Sequence, residues 1–329
     1  CEGAVDKPIN AGSIYVMDVA RADGLDLLLE SVTKTYQPGR PPANSDITLL
    51  FGPGQLVALL GHNGAGKTTL LNQIVGTTKP TSGTIRYGSH SLVGDPDLAR
   101  RVSSMMPQIY APLTGVTPAQ AITSIGRLRG LSPRAARRAT DELLDALDIT
   151  QWRNRSGEKL SGGLRRLTSY AMAVVAPAPV LLIDEPTNDV DPVRRPLIWR
   201  SLRNLADDGH IVIVVTHNLV EVERAADRYV LLQDGRVLVD STPRELAKQA
   251  GATTLTVTMK AGVEPSRLPS AINISGAEEP GQLRLALTME QVPAAVDWVL
   301  RLAREEQADT YSLAPSSLES LYERMTNVN

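Results

Sequence analysis

Cysteine is all but missing from this chain. Cys1 is the single one among 329 residues, which excludes an internal disulfide framework and any zinc site built on several cysteines. Neither charge is in excess: 34 Lys and Arg face 36 Asp and Glu, for a formal net charge of -2. The broad basic surface of a bulk nucleic-acid binder is therefore lacking, and no nucleic-acid partner is expected. Long apolar runs are lacking too. The best, "YAMAVVAPAPVLLI", is interrupted by Pro177 and Pro179 and followed at once by Asp184, too short and too broken to span a bilayer. The first residues carry no basic flank ahead of an apolar core, the pattern of a secretory signal. They begin with Cys instead of Met, so either residues precede Cys1 or processing has removed them. No internal repeat and no low-complexity tract is visible.

What is present reads as an ordinary globular chain, 42% hydrophobic and 21% charged, long enough for one large or two modest domains. Residues 1–25 show no clear period and read as an extension. "LDLLLESVTKTY", "GQLVALLG" and "GTIRYG" read as strands, with a helix opening near Gly66. From Thr117 to Leu147 the pattern is helical, with Pro118 and Pro133 in first turns and Gly130 as a break. "VLLIDEP" and "HIVIVVTH" are short, continuously apolar runs of the kind that form central parallel strands, which points to α/β architecture. Near Gly251 the texture changes. "TTLTVTMK" and "LRLALTM" alternate like half-exposed strands, "MEQVPAAVDWVLRLAREEQA" is an amphipathic helix, "DTYSLAP" a third strand and "SSLESLYERM" a closing helix. The expected division is residues 1–25, 26–250 and 251–329, the last a small α+β domain.

Two motifs carry chemistry. "GHNGAGKT", Gly61 to Thr68, fits G-x-x-x-x-G-K-[ST] and lies between an expected strand and an expected helix, the context this motif needs. Its glycines let backbone N–H groups wrap phosphates at a helix N-terminus. Lys67 is placed to reach the β- and γ-phosphates, and the Thr68 hydroxyl to sit on Mg2+. An incidental Gly-rich turn would need neither the Lys-Thr pair nor that context. "VLLIDEPTNDVDP" delivers Asp184 and Glu185 at a strand end, where open α/β sheets bind ligands. Adjacent carboxylates there are costly without a cation, so Asp184 reads as the Mg2+ residue and Glu185 as the group that orients or deprotonates water. By itself such a pair is equally a solvated turn; beside the phosphate loop it is not.

Together with Gln108 in "MMPQIY", "KLSGG" and "VTHN", these motifs resemble the ATP-binding cassette of ABC transporters. The spacing agrees: about 117 residues from Lys67 to Asp184, Gly163 about 21 before Asp184 and His217 about 33 after it. The resemblance covers roughly residues 26–246. It implies a P-loop NTPase cassette with a RecA-like core, an antiparallel β subdomain and a helical subdomain at about 109–160. It further implies ATP and Mg2+ as cofactors. Gly61, Asn63, Gly64, Ala65, Gly66, Lys67, Thr68 and Thr69 would form the phosphate loop, with Tyr36 of "VTKTY" stacking on adenine. Gln108 would touch Mg2+ and link the nucleotide to the membrane partner, and His217 would contact the γ-phosphate beside the catalytic Glu185 and Lys67. Asp191 would lie in the loop that communicates between two cassettes. For Tyr36 a core aromatic is the competing reading.

The same resemblance implies that two cassettes pack head to tail, as a homodimer or heterodimer, with Ser161, Gly162 and Gly163 of "LSGGLRRL" capping the γ-phosphate held by the other copy. Ser161 also reads as a helix N-cap, and the two roles are compatible. The family's usual glutamine is replaced by Leu164, which removes any polar contact made there. That departure is similar to the drug-resistance (daunorubicin-type) exporter ATPases, as is the ending "PSSLESLYERM". The implied function is the ATP-hydrolysing subunit of an exporter, on the cytoplasmic side of the membrane and working with a separate or covalently linked membrane subunit. Arg127, Arg129, Arg134, Arg137 and Arg138 would face that subunit or form a solvated helix face. The alternatives are a soluble ABC ATPase of translation or DNA repair and a non-hydrolysing, ATP-binding regulatory module. The single cassette and the lack of zinc-binding cysteines oppose the first, and intact Lys67, Asp184, Glu185 and His217 the second.

Overall fold

In a computed structural model of the chain, residues 25–109, 113–249, 253–260 and 281–314 are described. The extension expected before residue 25 and the helix expected at "SSLESLYERM" lie outside them. In chain order the elements are β1 (Leu27–Lys34), β2 (Asn44–Phe51), β3 (Leu56–Leu60), α1 (Lys67–Ile74), β4 (Ser82–Tyr87), β5 (His90–Ser91), α2 (Pro96–Val102) and β6 (Ser103–Met106). There follow α3 (Pro118–Leu128), α4 (Pro133–Ala146), α5 (Gly162–Val174), β7 (Val180–Asp184), α6 (Arg195–Asp207) and β8 (Ile211–Val215). The remainder are α7 (Leu219–Ala225), β9 (Arg228–Gln233), β10 (Arg236–Ser241), α8 (Pro243–Gln249), β11 (Thr253–Met259), β12 (Gln282–Leu287), α9 (Val292–Arg304) and β13 (Ala308–Ala314). They fall into two compact units, residues 25–217 with 225–240, and residues 218–224 with 241–314.

The first unit is built on a six-stranded sheet of order β10-β9-β3-β8-β7-β6. The pairs β9/β3, β3/β8, β8/β7 and β7/β6 are parallel. Every residue of β3, β7 and β8 is buried, which explains their unbroken apolar sequences: strands covered on both faces have no solvent side to mark. A second, antiparallel sheet of order β2-β1-β4-β5 packs Leu27, Leu29, Ile47 and Phe51 into the same core as Leu59, Leu70 and Ile213. Arg228 of β9 fastens the two sheets. Its guanidinium donates to Asp240 of β10 and to the Leu50 carbonyl of β2 while lying 5.6 Å from the Phe51 ring centroid. A buried cation is tolerable only with its carboxylate and carbonyl partners in place.

The helical stretch expected over 117–147 is two helices. Thr117 caps α3 in a capping box with Gln120, and Ser132 caps α4. Pro118 and Pro133 occupy first turns, where their missing N–H has no helical partner to lose, and Gly130 takes φ +96° between the helices. These helices pack on each other, and α3 also packs on α5. Beside them Leu113, Ala121 and Leu160 form a small apolar cluster, with Val116, Trp152, Leu164 and Met172 packed against it. Leu164 is thus committed to apolar packing, which gives a reason for leucine there that its lack of hydrogen-bonding capacity did not suggest.

In the second unit β12-β11-β13 form an antiparallel sheet, and α9 lies on it. Alternation places Leu255, Val257, Leu283, Leu285 and Leu287 against Ala295, Trp298, Val299 and Leu302 of the helix. Trp298, 1% exposed, is the largest side chain of this core. Trp298→Ala is expected to destabilise this unit by about 3–5 kcal/mol. Hydrogen exchange should then quicken across β11 and β12 before it quickens across β3 and β8; unchanged protection in β11 would contradict the assignment of Trp298 as the core's keystone.

Candidate functional site

The phosphate-loop sequence leaves β3 at Leu60 and re-enters regular structure at Lys67, the first residue of α1. Gly61, Gly64 and Gly66 adopt φ +148°, +90° and +100°. A Cβ on Gly61 would collide with the Leu232 carbonyl, and one on Gly66 with the Ala43 carbonyl and the Asn44 amide. The glycines are therefore required by conformation and by close packing together. Ala65 is buried, and its carbonyl accepts the Gly235 N–H at 3.2 Å from the two-residue turn between β9 and β10. The Asn63 carbonyl lies 2.8 Å from His62 Nδ1. Lys67 Nζ folds back on the loop, donating to the Gly61 carbonyl at 2.6 Å and the His62 carbonyl at 2.9 Å. Burial lowers the Lys67 pKa, and the charges of Glu185 and Asp184 oppose that shift. Tyr36 is 60% exposed, which overturns a core role for it. Its hydroxyl lies 3.5 Å from Thr69 Oγ1, and the Lys34 ammonium is 5.1 Å from its ring centroid.

Strand β7 brings two carboxylates to the same end of the sheet. Asp184 and Glu185 are 2% and 7% exposed. Thr68 Oγ1 donates to Asp184 Oδ2 at 3.4 Å, so two of the three expected metal residues meet across 116 positions of sequence. Burial, and then the charge of Glu185, push the Asp184 pKa from 3.8 up to about 6, with Thr68, Lys67 and Arg166 pulling the other way. Glu185 has φ +50°, uncommon for a side chain with a Cβ, and its N–H is held by the Val215 carbonyl at 2.7 Å. Glu185 Oε1 lies 2.9 Å from Nδ1 of the exposed His217, whereas Glu185 Oε2 is buried with no hydrogen-bond partner. A buried carboxylate oxygen without a protein donor is costly unless a water or a cation satisfies it. Among the described residues no three His, Cys, Asp or Glu side chains converge on one point. That donor set, one hydroxyl and one carboxylate with a second carboxylate adjacent, fits Mg2+, which takes few protein ligands and completes its shell with phosphate and water.

The other expected residues come from other segments of the first unit. Gln108, two residues past the β6 position that pairs with Ile183 of β7, is exposed. Ser161 caps α5, its hydroxyl accepting the Leu164 N–H at 3.3 Å. A Cβ on Gly163 would strike the Asp189 carbonyl, while one on Gly162 would make ordinary contact with the Asp189 side chain. Asp191 accepts from the Val193 and Arg194 N–H groups and the Arg194 guanidinium; partial burial raises its pKa, and these hydrogen bonds with the Arg194 charge together bring it below the usual value. Among the described residues no hydrogen bond joins Ser161, Gly162 or Gly163 to the phosphate loop of the same chain. Of the arginines between Gln108 and Ser161, Arg129 donates to the Ser103 carbonyl at 3.0 Å and the exposed Arg138 lies 3.7 Å from Glu142, a surface pair. Sequence reasoning passed over Asn44, Gln73, Arg166 and the Asp234–Gly235 turn. Arg166 is buried and donates to the Pro107 carbonyl at 3.3 Å, next to Gln108. No motif marks Asn44, Gln73 or the Asp234–Gly235 turn, and Arg166 stands in "LSGGLRRL" with no role assigned to it there; the only sequence signal is polarity at positions that fold inward.

Comparison with known proteins agrees with this geometry. The sequence model of the ABC transporter family matches residues 44–188. The chain is similar to the daunorubicin/doxorubicin resistance ATP-binding protein DrrA of Streptomyces peucetius, 30% identical over 300 residues that cover 90% of each chain. It is similar to the Nod factor export ATP-binding protein I of Ralstonia nicotianae, 28% identical over 91% of this chain and 93% of that one. Among solved structures it resembles the dimeric ATP-binding cassette MJ0796 in a post-hydrolysis state with ADP and phosphate. That match has TM-score 0.61 and 28% identity, over 66% of this chain and 99% of that one. A P-loop between β3 and α1, an acidic pair at the end of β7, an antiparallel β sheet and a helical segment before α5 are thus found in a chain whose relatives are ATP-binding subunits: this protein belongs to the ABC transporter ATP-binding cassette family.

Proposed function

We propose that the chain hydrolyses ATP and that the hydrolysis powers an exporter through a membrane subunit on whose cytoplasmic side it sits. The observation that carries this reading is the single cluster formed by Lys67, Thr68, Asp184, Glu185 and His217 at the strand ends, with Glu185 Oε2 buried and lacking a donor. Backbone N–H groups of residues 61–69 bind the phosphates, and Lys67 leaves the loop carbonyls for the β- and γ-oxygens. Tyr36, exposed beside Thr69, supplies the surface for adenine. Thr68 and Asp184, with Gln108 from the exposed segment after β6, would hold Mg2+, which when bound would supply positive charge against the phosphate oxygens. Glu185 orients a water and accepts its proton as the water oxygen bonds to the γ-phosphorus and the bond to the ADP oxygen breaks. His217, hydrogen-bonded to Glu185, contacts the γ-phosphate.

Ser161, Gly162 and Gly163 sit at the N-terminus of α5, where N–H groups are available to an anion, yet no bond ties them to their own phosphate loop. This supports a head-to-tail pair of cassettes in which each copy's Ser161–Gly163 segment caps the other's γ-phosphate, with Asp191 in the loop between sites. The DrrA protein and the Nod factor export protein, by their names, serve resistance and export, which supports export as the direction. No helix among the described residues is long and apolar enough to cross a membrane; the membrane subunit would be separate or covalently linked. Residues 26–250 would be the ATPase domain, with its helical subdomain at about 109–160 facing that partner, and 251–329 an accessory domain.

Glu185→Gln is expected to lower ATP turnover by about 100-fold or more while MgATP binding persists, read by phosphate release and by titration calorimetry on the same preparation. Equal turnover in wild type and variant would remove Glu185 from the base role. Lys67→Ala is expected to weaken MgATP binding itself. A second expectation concerns pH. Because the Asp184 pKa in the folded chain lies above its ordinary value, the folded chain holds a proton that the unfolded chain releases, and stability falls as pH rises through about 6. Asp184→Asn should therefore melt at a higher temperature than the nucleotide-free wild type at pH 7.5, with the difference shrinking at pH 5. A pH-independent difference would contradict the buried, uncompensated carboxylate.

A further inference from the structure

Directly behind the phosphate loop lies a buried polar pair that no motif accounts for. Asn44, the first residue of β2, has no exposed surface, and Gln73 of α1 is 3% exposed. Asn44 Nδ2 donates to the Gly66 carbonyl at 3.1 Å, and Gln73 Nε2 donates to Asn44 Oδ1 at 2.7 Å and to the Thr69 carbonyl at 3.3 Å. The direction of the chain of bonds is fixed by chemistry. Gln73 donates to the Asn44 oxygen, so the Asn44 nitrogen must be the atom turned toward Gly66. Burying two amides among apolar residues costs free energy that two apolar side chains would avoid, so the pair calls for an explanation beyond filling space.

We propose that Asn44 is a positioning residue for phosphate binding, its amide oriented by Gln73; this rests on the reading of the loop as a nucleotide cradle. The Gly66–Lys67 peptide is the junction between loop and helix. In a trans peptide the carbonyl and the following N–H point in opposite directions. A donor that captures the Gly66 carbonyl from behind therefore aims the Lys67 N–H forward into the loop, where a phosphate oxygen would sit. The helix bond from the Leu70 N–H, 2.9 Å from the same carbonyl, does not by itself fix that rotation, because it can be kept over a range of tilts. Asn44 also ties this junction to the adenine side. The Ala43 N–H bonds the Lys34 carbonyl at 2.7 Å, two residues before Tyr36, and Asn44 pairs with Lys34 in the β1–β2 register. One side chain thus sets the phosphate loop against the strand that carries the aromatic.

The test is the paired substitution Asn44→Leu with Gln73→Leu, which removes both amides together and leaves neither unsatisfied, with Asn44→Ser as a milder companion. Wild type is first titrated with MgATP; absence of binding there would defeat the nucleotide reading itself, separately from this inference. In the variants we expect a nucleotide-free melting temperature close to that of wild type. The KM and the dissociation constant for MgATP should rise about tenfold, the equivalent of one lost charge-directed hydrogen bond, with kcat within about twofold. A role in packing alone predicts the opposite split: lowered melting temperature with unchanged MgATP affinity in whatever fraction folds. Unchanged affinity in a folded variant would overturn the proposal, and so would failure of both variants to fold, which would make the pair a folding requirement.

Discussion

The Gly66–Lys67 peptide must sit where no side chain fits, and the rest of the site is arranged around that requirement. Gly66 is pressed against the Ala43 carbonyl with φ +100°, Gly61 against the Leu232 carbonyl, and Gly235 against residues 42–43. Three separate segments therefore converge on one loop: the start of β2, the end of β9 and the turn before β10. Their mutual hydrogen bonds, Gly235 N–H to the Ala65 carbonyl and Ser45 N–H to the Gly235 carbonyl at 2.7 Å, close the arrangement. A loop so held presents its N–H groups without having to be ordered by the ligand, which is the condition for tight anion binding at a helix N-terminus.

The opposite wall of the site is set by the cost of buried charge. Asp184 ends an entirely buried strand and Glu185 follows it; Lys67 and Arg166 pull the Asp184 pKa down, but burial and the charge of Glu185 outweigh them. Lys67 reaches toward them electrostatically but spends its own hydrogen bonds on the Gly61 and His62 carbonyls. The protein holds Glu185 with φ +50° and Asp184 with a raised pKa, local costs that the surrounding sheet sustains. Such costs are relieved by what a nucleotide brings: phosphate oxygens for the lysine, and a divalent cation for the carboxylates. The two walls are thus complementary in charge, and each is incomplete alone.

Much of this was legible in the sequence, for reasons that differ by element. The Gly61–Thr68 loop and the Asp184–Glu185 pair are readable because their chemistry demands fixed residue types at fixed spacing. The breaks at Pro118, Gly130 and Pro133 are readable because proline and glycine act on their own backbone, independent of tertiary context. Strands β11 and β12 show through alternation, since one face meets α9 and the other does not. Asn44 and Gln73 were invisible because their partners are about 22 and 29 positions away, and a buried asparagine is indistinguishable from a surface one until the fold joins them. The packing of Leu164 was out of reach for a related reason: its neighbours Leu113, Ala121 and Trp152 come from three other segments, and only the fold brings them to it. The roles expected of Gln108, Ser161 and Asp191 came from the resemblance to exporter ATPases and from no signal in those residues alone.

The claim on which this account turns is that the loop and the acidic pair form one site requiring a cation between them. Titration calorimetry of ATP into the intact chain, with Mg2+ and again with Mg2+ removed by chelator, tests it most directly. The account predicts saturable one-to-one binding in Mg2+ that weakens by about tenfold or more in its absence, because uncompensated phosphate would then face two buried carboxylates. Binding of equal strength in the two conditions would contradict it.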